Sequence, residues 1–152
     1  MITPHTISDA ERWLLSFYRT SEITGSLFFG RLAKTLPSGP IQRDLTQHFA
    51  DEANHARYWT QAIYELGLKP ERVRTSYQDS YLDAAGLPVN IMEILAITQV
   101  FEKRVIQQYS RHSRMNNLHP VIAGTLQRIM ADERWHIEWV ANALASLEEK
   151  FG

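Results

Sequence analysis

The sequence predicts an all-α protein, a bundle of four helices arranged as two antiparallel pairs with a long crossover between the second and third helices. Three observations carry this prediction. Apolar residues recur at helical spacing through four segments of about 25 to 30 residues, each roughly 40 Å long at 1.5 Å per residue. Proline, glycine and capping residues bound those segments. Each apolar stripe also carries one glutamate at its middle, where an unanswered charge is costly.

The first helix (about 8–36) opens at Ser8, with Glu11 three residues on in a capping-box pattern. Its stripe runs Leu15, Tyr18, Gly25, Phe29, Leu32 and Leu36, and Pro37-Ser38-Gly39 stops it. Pro40 suits the first turn of the second helix (40–66), where a missing N–H costs nothing. That helix places Leu45, Phe49, Ala56, Trp59, Ile63 and Leu66 on one face, and Gly67 and Pro70 end it. From 67 to 89 the periodicity fails, and a polar stretch this long needs a reason. A crossover between helix pairs supplies one. Asn90 with Glu93 opens the third helix (90–115), striped by Ile91, Leu95, Thr98, Val105, Ile106 and Tyr109. Asn116-Asn117 breaks it. The fourth helix (120–150) carries Ile122, Leu126, Ile129, Ile137, Val140, Leu144 and Leu147.

Composition bounds what such a bundle does. The chain of 152 residues is sized for a single domain (1–152), with 44% hydrophobic and 22% charged residues. A net charge of −1 gives no field to draw nucleic acid or an anionic membrane, so neither is an expected partner. Without cysteine there are no disulfides, zinc ribbons, Fe–S clusters or thiol nucleophiles. No stretch approaches the roughly 18 apolar residues of a membrane span. Met-Ile-Thr-Pro-His lacks the pattern of a secretory leader, so a cytoplasmic location is expected.

The central glutamates are Glu22, Glu52, Glu102 and Glu133. His55 and His136 follow the second and fourth of these by three residues, which puts each pair on one helix face. Chance would supply only about 0.4 such Glu-x-x-His pairs in this composition. Counting from the turns, Glu22 and Glu52 lie at depths of roughly 24 and 21 Å, and Glu102 and Glu133 are each about 15 residues from Leu118. Antiparallel pairing therefore brings all six side chains to one layer. The two halves repeat with a displacement of 80 or 81 residues. Four carboxylates balance two divalent cations and neutral imidazoles add no charge, so the set reads as a two-metal site.

These residues resemble the ferritin-like di-iron carboxylate superfamily, over about Ser8 to Lys150. The resemblance implies a ferritin-like bundle with Glu22 and Glu102 as terminal ligands, Glu52 and Glu133 bridging two metals, and one imidazole on each. It also implies that Asp51 and Asp132, which precede the two motifs, orient ligating imidazoles. Rubrerythrins share the pattern, but their Cys-x-x-Cys module is missing, and Gln99 stands where they tend to carry a further glutamate.

Other residues receive humbler readings. His48, one turn before Glu52, is expected as a hydrogen-bonded neighbour of the site. Tyr18 and Tyr109 are core phenols with a candidate redox or oxygen-pocket role. Trp59, Trp135 and Trp139 are assigned to packing, and His5, His112 and His119 to the surface or to helix ends. The cofactors expected are two iron ions, with manganese or a mixed pair as alternatives, since mixed carboxylate and imidazole ligands suit both. The function expected is an oxidoreductase reacting with dioxygen or peroxide and drawing on an unidentified reductant. Iron oxidation, sequestration or peroxide detoxification without an organic substrate is a second reading. A metal-stabilised bundle that binds a partner through the 76–88 crossing is a third. Tyr77 and Tyr81 in that crossing suggest a homodimer.

Overall fold

The structure, a computed structural model, describes residues 6–151, with the backbone alone at Phe151. Residues 1–5 and 152 of the predicted domain, His5 among them, lie outside that range. Five helices and no strands occur among the described residues: α1 (Asp9–Thr35), α2 (Pro40–Glu65), α3 (Tyr77–Ala85), α4 (Ile91–Ser113) and α5 (Pro120–Phe151). No helix among them is long and apolar enough to cross a membrane.

Local chemistry places the ends. Ser8 caps α1 through its hydroxyl, and Glu11 reaches back to the Ser8 backbone N–H, closing the capping box. Asn90 accepts from the Glu93 N–H to start α4. Pro40 occupies the first turn of α2.

The helices form a bundle in which α1 packs along α2, α4 along α5, and α2 faces α5. The running order of α1 and α2 is antiparallel, as the facing pairs Arg19–Thr60, Glu22–His55, Gly25–Glu52 and Gly30–Phe49 show. Two glycines let these helices approach. A Cβ at Gly30 would lie 2.9 Å from the Phe49 ring, and one at Gly25 would lie 3.1 Å from Glu52 Oε2.

The core divides into two apolar clusters. One gathers Leu15, Tyr18, Trp59, Ile63, Tyr109, Ile122, Leu126 and Ile129. The other gathers Phe28, Phe29, Leu45, Leu95, Phe101, Trp139 and Val140. Along α1, α2, α4 and α5 the glutamates fall between the residues of these two clusters.

The crossing differs from the sequence expectation. Where periodicity failed between 67 and 89, residues 77–85 form the short helix α3, packed on α1. Ser76 and Asp79 close a second capping box, a signal legible in sequence but attached to too few turns to register as periodic. Gly86 ends α3 at φ +82°, a backbone region that favours glycine. Tyr77 and Tyr81 turn onto Phe101, with ring centroids 5.8 and 5.4 Å away, and so pack within their own chain.

Candidate metal centre

Each half of the bundle supplies a glutamate from one helix and a Glu-x-x-His pair from the next. Glu22 projects from α1, Glu52 and His55 from α2, Glu102 from α4, and Glu133 and His136 from α5. All six are buried, none more than 5% exposed. His55 Nδ1 lies 3.3 Å from Glu22 Oε2 and 3.6 Å from Glu133 Oε1. His136 Nδ1 lies 3.4 Å from Glu102 Oε2, 3.4 Å from Glu133 Oε2 and 3.9 Å from Glu52 Oε1. Glu133 thus turns one oxygen toward each imidazole. Donor atoms of Glu22, Glu52 and His55 fall within 4.8 Å of one another, as do those of Glu52, Glu102, His136 and His48. Glu52 belongs to both groups.

The outer nitrogens of the two imidazoles are held from across the bundle. His55 Nε2 donates to Asp132 at 2.7 Å, and His136 Nε2 donates to Asp51 at 2.9 Å. Each aspartate precedes one motif and holds the histidine of the other. With a proton on Nε2, each neutral ring presents a bare lone pair at Nδ1. Those lone pairs face carboxylate oxygens, which also carry only lone pairs when ionised. Glu22 Oε2, Glu102 Oε2, both oxygens of Glu133 and both Nδ1 atoms have no hydrogen-bond partner. A cluster of buried acceptors in mutual contact is untenable unless a cation or protons lie between them. The donor set of oxygen and nitrogen atoms fits two divalent ions on that ground.

Electrostatics without metal shows the same strain. Burial, then the Glu22 and Glu102 carboxylates, push Glu52 well above the usual carboxyl range. Burial and Glu102 do the same to Glu133. Burial also acts against Glu22, but the His55 ring and the Tyr109 hydroxyl outweigh it and hold that carboxyl below its ordinary value. His136 is opposed by burial, yet its hydrogen bond to Asp51 and the nearby Glu102 and Glu133 carboxylates leave it pushed up to about 12.

Around these six residues sit groups with defined partners. The Tyr109 hydroxyl donates to Glu22 Oε1 at 2.7 Å. His48 Nε2 lies 2.7 Å from Glu102 Oε1 and 3.1 Å from Glu52 Oε1, while its Nδ1 accepts from Trp139 Nε1. Tyr18 bonds to His112 Nδ1 at 2.9 Å rather than to a glutamate, and meets Tyr109 edge-on. His112, expected at the surface or a helix end, is in the last turn of α4 but buried, because Tyr18 draws its ring inward.

Sequence reasoning did not reach two kinds of residue. Trp59 and Trp139 pack as expected but also donate hydrogen bonds. A buried indole needs an acceptor, which was the available signal. Gln78 of α3 is buried beside Gly25 and donates to the Ser21 carbonyl, and nothing in an aperiodic segment marks it. A cavity of about 350 Å³ lined by Ile106, Met130, Ile137, Arg134 and Glu138 borders Glu133. Comparison with family models, with curated proteins and with solved structures found no match.

Proposed function

We propose that this chain is a ferritin-like di-metal carboxylate protein, holding two iron ions, or manganese in their place, and acting as an oxidoreductase toward dioxygen or peroxide. The observation that carries the reading is the set of six buried donor atoms without partners, four carboxylate and two imidazole, on side chains from four helices. Glu22 with His55 would bind one ion and Glu102 with His136 the other, with Glu52 and Glu133 shared between them. When bound, two such ions would each contribute an electron to a common oxidant.

The rest is work for the chain's own side chains. Asp51 and Asp132 hold the imidazole N–H groups outward and keep the Nδ1 lone pairs inward. The two apolar clusters exclude bulk water from either side of the layer. Ile106, Met130 and Ile137 give the cavity beside Glu133 an apolar surface that favours approach by a small uncharged oxidant over a hydrated ion.

Metal-free protein reconstituted anaerobically with ferrous ion should bind about two irons per chain. Admission of oxygen should then produce a ferric absorption in the near ultraviolet, faster than free iron oxidises. Glu52→Ala should lose both. One iron or none, with no spectral change, would refute the reading.

A further inference from the structure

Two buried tryptophans, Trp59 on α2 and Trp139 on α5, each follow a Glu-x-x-His motif by about one helical turn, four residues after His55 and three after His136. An indole N–H donates and never accepts, so each tryptophan sets the direction of the bond beyond it. Trp59 Nε1 donates to the Tyr109 hydroxyl at 3.1 Å. The single phenolic proton then points to Glu22 Oε1. Trp139 Nε1 donates to His48 Nδ1 at 3.0 Å. That nitrogen must offer a lone pair, so the ring carries its proton on Nε2 and donates it to Glu102 Oε1 and Glu52 Oε1.

The two relays end on corresponding carboxylates, Glu22 and Glu102, but through different groups on different helices. At the repeat position of Tyr109 the other half has Phe29, and at the position of His48 it has Ile129. One half therefore supplies its donor as a phenol from α4, the other as an imidazole from α2. The reach differs too: Tyr109 holds one carboxylate, whereas His48 holds both Glu102 and Glu52. His48 lies within ligand distance of its neighbours, yet both its nitrogens are engaged, unlike the bare Nδ1 atoms of His55 and His136.

We infer that the two metal positions are inequivalent, and that Tyr109 and His48 are the positioning residues that make them so, each locked in direction by its own tryptophan. The inference rests on the di-metal reading. Tyr109 governs the position of Glu22 and His55, and His48 governs that of Glu102 and His136. Neither would ligate an ion, because the polar atoms of both are engaged by a tryptophan and a carboxylate. Each fixes which oxygen of its carboxylate is spent on a hydrogen bond and which is left for metal. Loss of an outer hydrogen bond of this kind weakens metal binding by roughly ten- to hundred-fold.

Titration of metal-free protein with Co2+, followed by its ligand-field absorption with the bound metal counted, tests this. Wild-type protein should bind two ions in two separable steps with different spectra. Tyr109→Phe should weaken one step by roughly ten- to hundred-fold and Trp139→Phe the other. Two identical steps in wild type, or both variants weakening the same step, would overturn the inference while leaving two metals in place. Fewer than two ions in wild type would instead remove the di-metal reading itself. Should Trp139→Phe not fold, nitrogen NMR of His48 in the zinc-loaded wild type decides the matter. A protonated Nε2 and bare Nδ1 support the relay, and the opposite tautomer or a charged ring refutes it.

Discussion

A buried imidazole needs a partner for its ring N–H, and in this protein that partner can be assigned to a particular atom for each histidine of the two motifs. The pairs are crossed, His55–Asp132 and His136–Asp51. Asp132→Asn should therefore weaken the ion held by His55, whose motif lies on α2, and Asp51→Asn the ion held by His136 on α5. Step-resolved Co2+ binding should show each loss at roughly ten- to hundred-fold, and same-helix effects would contradict the crossing. Protonation supplies a second test. Glu52 and Glu133 are raised well above their ordinary 4.5, and His55 and His136 above their ordinary 6.5. His136 is pushed up to about 12, so between pH 6.5 and 12 the folded metal-free protein holds a proton that the unfolded chain has released, and its stability falls as pH rises. His48 and His112 shift the other way, but above their ordinary 6.5 both states have lost those protons. Thermal melts with chelator at about pH 7 and pH 9 should show that decline, whereas bound metal, having displaced the protons, should suppress it. A metal-free protein stabilised by the higher pH would contradict these shifts.

Among the elements, α1 and α2 are held at a distance that only glycine permits at their closest points. Alanine at Gly25 would gain about 1 kcal/mol of helix propensity. Its methyl would lie 3.1 Å from Glu52 Oε2, an oxygen of the carboxylate proposed to be shared between the two ions. Gly25→Ala should therefore leave the metal-free melting temperature unchanged or higher while lowering metal affinity. Equal losses in both would mean that the glycine serves packing alone. Gly30 makes the contrast, since a Cβ there meets the rigid Phe49 ring at 2.9 Å. Overpacking of that kind costs about 1–3 kcal/mol against the same helical gain, so Gly30→Ala should lower stability with or without metal. In the crossing, α3 holds the buried Gln78 beside Gly25 and bonds it to the Ser21 carbonyl, so the crossing packs on α1 next to the site as well as connecting the helix pairs.

Across the whole molecule, the layer of glutamates divides the core into two apolar clusters, and neither contains any of the six residues proposed to hold metal. Removal of metal should therefore lower stability without erasing helix. At a hundredfold excess over the dissociation constant, a bound ion stabilises the fold by about 2.7 kcal/mol. For a chain of this size that corresponds to roughly 5 to 10 °C in melting temperature. Circular dichroism melts with and without chelator should show that interval while the spectrum before melting stays helical. Loss of helix on chelation alone would mean that the clusters do not sustain the bundle.

Much of this was legible in the chain because helical geometry is local. The apolar period marks the four long helices, and capping residues and prolines set their ends, so Asp9–Thr35, Pro40–Glu65, Ile91–Ser113 and Pro120–Phe151 fall within a few residues of the predicted spans. A fixed rise per residue turns positions into depths, which is why Glu22, Glu52, Glu102, Glu133, His55 and His136 could be placed in one layer before any coordinates. The periodicity of a helix says which residues face inward but not which neighbour each will meet. That depends on how far each helix is rotated against the others, a property of the packed whole. Only the tertiary structure therefore decided that Asp51 reaches His136 rather than His55, that Tyr77 and Tyr81 close on Phe101, and that Trp139 turns its N–H to His48.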